Sequence, residues 1–337
     1  MKRKIIKQGH NTLTVTLPSD WVKKLGLSSG DELEMNEKDN GLFLSTDKKN
    51  NGKKSVEIDI TGMDIPTIWK YFMSIYREGY DELKVKYPIG EQYESPYKFF
   101  TSHIVDIKYG KRSIQQSPIE TIQQITNRFI GFEIIEHHKD YCVIKDMAEI
   151  SSKEFDSSLR RVFLLIQQMA EEIFESIKIN NTSSLSHTHD IDINVDKFHD
   201  YCIRVLNKSN FKDTKKSNIL FSTLFILELV GDELKNISLH LTDDMKDKKL
   251  NNLLQLGEMI LEHYNKFYEL YYSFSTERAV DMSKRDMEIY FYLEKLYKKK
   301  PGKKSELSDE ELEIFNHFRR ITRLLNALVE LRIEMQY

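Results

Sequence analysis

Two groups of residues have the types and spacing to do chemistry. The first is acidic. Glu228 and Asp232 lie one helical turn apart, and Phe221, Leu224 and Phe225 lead to them at helical spacing, so the pair falls on a face otherwise turned inward. Asp192 and Asp196 repeat that spacing in the preceding helical segment, with His199 one turn further on. Ionised carboxylates are costly to bury unpaired. Oxygen ligands from two adjacent antiparallel helices suit a divalent or trivalent metal ion, Mg, Mn, Fe or Zn rather than Cu(I). The plainer alternative is a motif that holds no metal, because a Glu-xxx-Asp spacing arises easily by chance on a helix.

The second group is basic. Lys2, Arg3, Lys4 and Lys7 crowd the start of the chain, and residues 1–24 carry six Lys and Arg against one acid, Asp20. Presented by both chains of a homodimer, such an arm could neutralise DNA phosphates, each contact adding about −0.9 to the slope of log affinity against log salt. Lys23 and Lys24 could flank the arm, and Asn11 sits where a base or backbone contact can form. No base-reading set is apparent, so no sequence preference follows. The alternative is that this segment only dimerises the protein.

Other chemistry is not indicated. There is no nucleophile elbow, phosphate-gripping loop or His/Cys dyad, and no Glu-x-x-His pair of the di-iron type in the first four bundle helices. No catalytic residues, no enzyme activity and no organic cofactor are expected. His187-Thr188-His189-Asp190 follows a Ser/Thr/Asn-rich stretch and reads as solvated loop, while His10 and His137-His138 read as exposed turn residues. Cys142 and Cys202 read as separate buried thiols.

The elements that must position these groups follow from composition. The chain has 337 residues, 40% hydrophobic, with a net charge of −3. That is enough for several cores and argues against a nucleic-acid sleeve along the whole length. No run reaches the roughly 18 apolar residues of a membrane span, and no apolar stretch follows Lys2-Arg3-Lys4, so no membrane insertion and a cytoplasmic location are expected. Ten of the thirteen glycines and five of the six prolines precede residue 132. The chain therefore divides into a small β-rich start at 1–47, a mixed α+β unit at 53–150 and an all-α remainder at 151–337.

Within the middle unit, Ser55–Ile60, Glu82–Tyr87 and the pair 133–136 and 141–145 alternate as strands, while Pro66–Arg77 and Ile119–Phe129 are helical. The stretch 79–90 has no phosphate-loop pattern and reads as packing. The last part divides into six helices near 152–179, 192–209, 216–241, 245–274, 277–299 and 308–336. Their apolar stripes, such as Ile314, Phe318, Ile321, Leu325 and Leu328, belong to bundle cores.

Gly9 before a strand, Leu17-Pro18 at a helix entry, Leu25-Gly26-Leu27 at its exit, Gly30-Asp31 and the hairpin signal Asn40-Gly41 form an ordered set. Residues 1 to about 46 resemble a SpoVT-AbrB domain, which implies a small swapped-hairpin β-barrel, made by two chains and commonly bound to DNA. The run Glu228-Leu229-Val230-Gly231-Asp232-Glu233-Leu234-Lys235-Asn236-Ile237 resembles the signature helix of PhoU proteins, and Val195-Asp196 the matching motif of the preceding helix.

That resemblance covers about 150–337 and implies a PhoU-like pair of three-helix bundles. It implies that Asp192, Asp196, Glu228 and Asp232 hold metal. It also implies a phosphate-responsive regulator of phosphate uptake or transcription, of the kind found in archaeal PhoU relatives that begin with a SpoVT-AbrB domain. The alternative is an adaptor that does not bind DNA and inhibits a phosphate ABC-transporter ATPase or a signalling kinase. In the second repeat Arg319 and Arg323 stand where the acids should be, and Arg285 interrupts Asp281, Asp286 and Glu288. At most one metal cluster per chain is expected. The cationic patch would take phosphate, meet a partner's acidic surface, or pair with Asp281 and Asp286.

Overall fold

The computed structural model describes residues 2–38, 41–46, 54–95, 114–148, 153–179, 181, 185, 187–208, 214–241, 251–297 and 309–337. The chain forms two compact units, Met1–Lys53 and Lys54–Tyr337.

In the first unit, β1 (Ile6–Gln8) and β2 (Thr12–Thr14) pair antiparallel with Lys7 opposite Leu13. Gly9 opens the turn between them at φ 76°, a left-handed conformation that disfavours a side chain. Residues 2–5 carry no ladder, so Lys2, Arg3 and Lys4 precede the first strand. Helix α1 (Ser19–Leu25) follows, with Pro18 as the extended N-cap rather than the first helical residue. Gly26 closes the helix in the left-handed conformation, its N–H donating to the Lys23 carbonyl at 3.2 Å, while the Leu27 N–H donates to the Val22 carbonyl at 3.0 Å. Strands β3 (Glu34–Lys38) and β4 (Gly41–Ser45) form a second hairpin; Asn40 lies outside the described residues. The two hairpins stay separate sheets, so the described residues of one chain close no barrel. None of those whose burial is described is buried, and Ile5, Leu13, Met35, Leu42 and Phe43 are all exposed.

The second unit begins with a β-α-β crossover. Strand β5 (Ser55–Asp59) runs parallel to β6 (Glu82–Lys86), joined by α2 (Ile65–Arg77). Asp64 caps α2 by accepting the Thr67 N–H at 2.9 Å. The short pair β7 (Tyr93–Ser95) and β8 (Ile114–Gln116) leads to α3 (Pro118–Thr126), whose Glu120 accepts the Ser117 N–H at 2.8 Å. Strands β9 (Phe132–His137) and β10 (Tyr141–Asp146) complete a four-stranded sheet in the order β5-β6-β10-β9. One core of Ile60, Ile68, Phe72, Leu83, Ile122 and Phe132 fills the space between this sheet and its helices.

Six long helices follow: α4 (Lys153–Ile179), α5 (Thr188–Lys208), α6 (Thr214–Leu241), α7 (Asn251–Tyr272), α8 (Thr276–Tyr297) and α9 (Asp309–Glu334). Helices α4, α5 and α6 pack mutually, as do α7, α8 and α9, and the two triplets join along α4 with α7 and α6 with α9. A second core runs through all six, with Phe163, Leu224, Leu227, Phe267, Phe315 and Leu325 among its buried members. Helix α5 starts earlier than its apolar pattern indicates. Thr188 and His189 lie in its first turn and are buried, so the reading of this tract as solvated loop is corrected for both residues.

Candidate functional site

Lys2, Arg3 and Lys4 precede β1, Lys7 lies within it, and Asn11 lies in the turn that follows. All five are exposed. Among the described residues none of the four cations has an ion-pair partner. Lys23 and Lys24 occupy the last turn of α1, where positive charge complements the helix dipole.

The expected acidic pairs are brought together by α5 and α6, but as part of a longer pattern. Asp192, Asp196, Asp200, Arg204 and Lys208 recur every four residues on α5, a stripe down one face. Each has a partner from another element. Lys235 of α6 donates to Asp192 at 2.8 Å and also to Asp232. Arg128, just past α3, stands 3.5 Å from Asp196. Arg77, the last residue of α2, donates to Asp200 at 2.6 Å. Arg204, wholly buried, donates to Asp146 at 2.6 Å and to the carbonyls of Tyr76 at 2.5 Å and Tyr80 at 2.7 Å. Its guanidinium also lies 4.7 Å from the Tyr76 ring and 5.0 Å from the Phe132 ring. Lys208 donates to Asp81 at 2.5 Å and to Asp146 at 3.2 Å.

These partners decide the local electrostatics. Burial works against the Lys235 ammonium, yet Asp192 and Asp232 outweigh it and hold its pKa above the ordinary lysine range. Glu228 has no cation in direct contact among the described residues. Burial, with the Asp232 charge adding to it, raises the Glu228 carboxyl to about 7, against the weaker opposing pull of Arg77 and Lys235.

The same geometry bears on the expected metal. Asp192, Asp196, Glu228 and Asp232 do lie on facing sides of neighbouring helices, but the Lys235 ammonium sits between Asp192 and Asp232 as their counter-charge, and Asp196 is turned to Arg128. Among the described residues no three His, Cys, Asp or Glu side chains converge as metal ligands would. In this arrangement the donor set fits an ion-pair cluster and does not fit a metal cage. Lys235 was legible within the run 228–237, three residues beyond Asp232. Arg77, Arg128 and Asp146 were not, because they come from elements distant in sequence.

In the second triplet, pairing of Arg319 and Arg323 with Asp281 and Asp286 is overturned. Asp281 is taken by Lys266 at 2.5 Å, and Asp286 lies 3.9 Å from His263. Arg285 pairs with Glu288 at 2.8 Å and with Glu262. Arg319 and Arg323 instead line an open cleft between α8 and α9.

Residues 6–52 match the family described as antidote-toxin recognition MazE, bacterial antitoxin. The matched span holds both hairpins and α1, with Lys7 and Asn11 inside it and Lys2, Arg3 and Lys4 immediately before it. No curated protein is similar enough to the whole chain to count as a match. The N-terminal match points to a regulator of the DNA-binding type.

Proposed function

We propose that the protein is a homodimeric DNA-binding regulator whose paired N-terminal units lay their basic arms on the phosphate backbone. The observation that carries this reading is the first unit itself: two hairpins and a helix with no buried residue, exposed apolar side chains and four cations without partners among the described residues. A unit of this size cannot stabilise itself without burying apolar surface, and a second copy supplies that surface. Domains of the matched type typically dimerise and bind DNA. Asn11, at the hairpin turn, is the candidate for a contact beyond the phosphates.

The finer part of the reading concerns what the helical part reports. It responds to phosphate status through a protein partner, a phosphate-transporter ATPase or a signalling protein, and biases how the arms engage DNA. The resemblance of residues 228–237 to the PhoU signature and the presence of two mutually packed helix triplets support this. No metal step enters it, since Lys235 already neutralises Asp192 and Asp232.

The test is binding of the full-length protein to its own promoter DNA across a salt series, beside a variant with Lys2, Arg3, Lys4 and Lys7 changed to Ala. Affinity should fall steeply with salt, by about −0.9 in slope per neutralised phosphate, and the variant should lose most of that slope. Binding no tighter in the wild type than in the variant sinks the DNA reading and leaves the adaptor without DNA affinity.

A further inference from the structure

We infer that the cleft between α8 and α9 is a binding site for a nucleoside phosphate. Its volume is about 430 Å³, within the roughly 300–1,000 Å³ of small-molecule sites and too small for a folded partner. Arg319 and Arg323 form one wall, one turn apart on α9 and both exposed. Among the described residues neither is in a direct ion pair with a carboxylate, although Asp286 and Glu294 line the same cleft, so both guanidiniums keep donors to offer a ligand. A bound phosphate supplies what is missing, since guanidinium groups grip phosphate oxygens by paired, charge-assisted hydrogen bonds.

The remaining walls are aromatic and acidic, which separates this site from a plain anion patch. Tyr290 and Tyr297 lie two turns apart on α8 and are both more than half exposed, at 55% and 61%. The Tyr297 ring stacks over Phe315, centroids 6.2 Å apart and planes at 13°, while Phe315 itself is buried and forms the floor. A planar base fits against such faces by stacking. Asp286 on α8 brings a carboxylate to the same cleft, and the buried His263 stands 3.9 Å behind it. With Glu294 the cleft holds two carboxylates, which repel a bare anion yet accept hydrogen bonds from ribose hydroxyls. Phosphate on the arginines, base on the tyrosines and sugar on Asp286 uses each wall for what its chemistry recognises.

The inference is independent of the DNA reading and is tested on the full chain by calorimetric titration with AMP, ATP, adenosine and inorganic phosphate. AMP or ATP should bind, and the double variant Arg319→Gln, Arg323→Gln should weaken that binding at least about tenfold. Tyr290→Ala should weaken it as well, because an anion patch alone would not feel the ring. The variant lacking the Lys2, Arg3, Lys4 and Lys7 charges should bind the nucleotides like the wild type. The assignment is overturned by no nucleotide binding at about 1 mM, an affinity for weak ligands of ordinary strength, by binding unchanged in the arginine variant, or by inorganic phosphate binding as tightly as AMP. Loss of nucleotide binding in the N-terminal variant would also overturn it, by moving the site to the DNA surface.

Discussion

Arg204, on the central helix α5, meets Asp146 at the end of β10 at 2.6 Å with both side chains buried. This contact joins two hydrophobic cores that otherwise fill separately, one under the sheet and one within the helices. A buried ion pair is poor as a source of net stability but costly to break on one side. Its value here is positional. The α+β part is tied to α5 by shared charge-assisted contacts, Arg204 and Lys208 both meeting Asp146.

Arg204→Met should therefore destabilise the second unit by about 3–5 kcal/mol, because Asp146 and the carbonyls of Tyr76 and Tyr80 are left without their donor. Urea denaturation followed by circular dichroism reads this. A loss below about 1 kcal/mol, the range of exposed pairs, would mean that the contact is wet and the seam loose.

Glu228 gives the protein a pH dependence of definite sign. Its carboxyl titrates at about 7 in the fold, against 4.5 ordinarily, because burial favours the neutral form. Between those values the folded state keeps a proton that the unfolded chain has released, so the contribution of Glu228 is full at low pH and declines as pH rises to about 7, by at most about 3 kcal/mol. Glu228→Gln cannot ionise. The variant should match the wild type near pH 5 and exceed it near pH 8 in denaturant midpoint, and equal midpoints at both would contradict the assignment.

Lys235 should be more costly to remove than either carboxylate. Lys235→Met leaves Asp192 and Asp232 facing each other with no counter-charge, a loss of about 3–5 kcal/mol at neutral pH. Acidification should recover part of that loss, since protonating one carboxyl relieves the repulsion. The purified wild type should carry no stoichiometric metal on elemental analysis. A tightly held equivalent of Mg, Mn, Fe or Zn, lost in Glu228→Ala and Asp232→Ala variants, would restore the metal-cluster reading.

Gly79 has a local reason to be glycine. Its φ is 80°, and a Cβ there would lie 2.4 Å from the Lys208 Cγ, displacing the lysine that serves Asp81 and Asp146. Gly79→Ala should cost about 1–3 kcal/mol, visible as a lower melting temperature. An unchanged melting temperature would show that the turn relaxes without moving Lys208.

Much of this architecture was legible in the sequence for simple reasons. The longer strands and the helices of the α+β part follow their alternation and helical spacing, and the long helices follow the loss of Gly and Pro. The start of α5 was not legible because Thr188 and His189 have the composition of a linker and are buried only by tertiary packing. The one-turn spacing of the carboxylates was visible in the sequence, whereas their pairing with the cations that answer them was not. A spacing of four along Asp192, Asp196, Asp200, Arg204 and Lys208 is visible in one segment, whereas which cation answers each acid depends on where α2, α3 and β10 end. The cleft arginines were visible too, but that their expected acids would be claimed by Lys266 and approached by His263 was not.

The stripe on α5 changes sign once, between Asp200 and Arg204, and the surface that meets it changes sign at the same point, between Arg77 and Asp146. A slide of one helical turn, about 5.4 Å, in one direction would set Arg77 against Arg204, and in the other would set Asp146 against Asp200. Neighbouring registers are thus excluded by repulsion at a single rung, like a key with one reversed tooth. The α+β part and its helix are held in one register by the order of their charges as well as by packing.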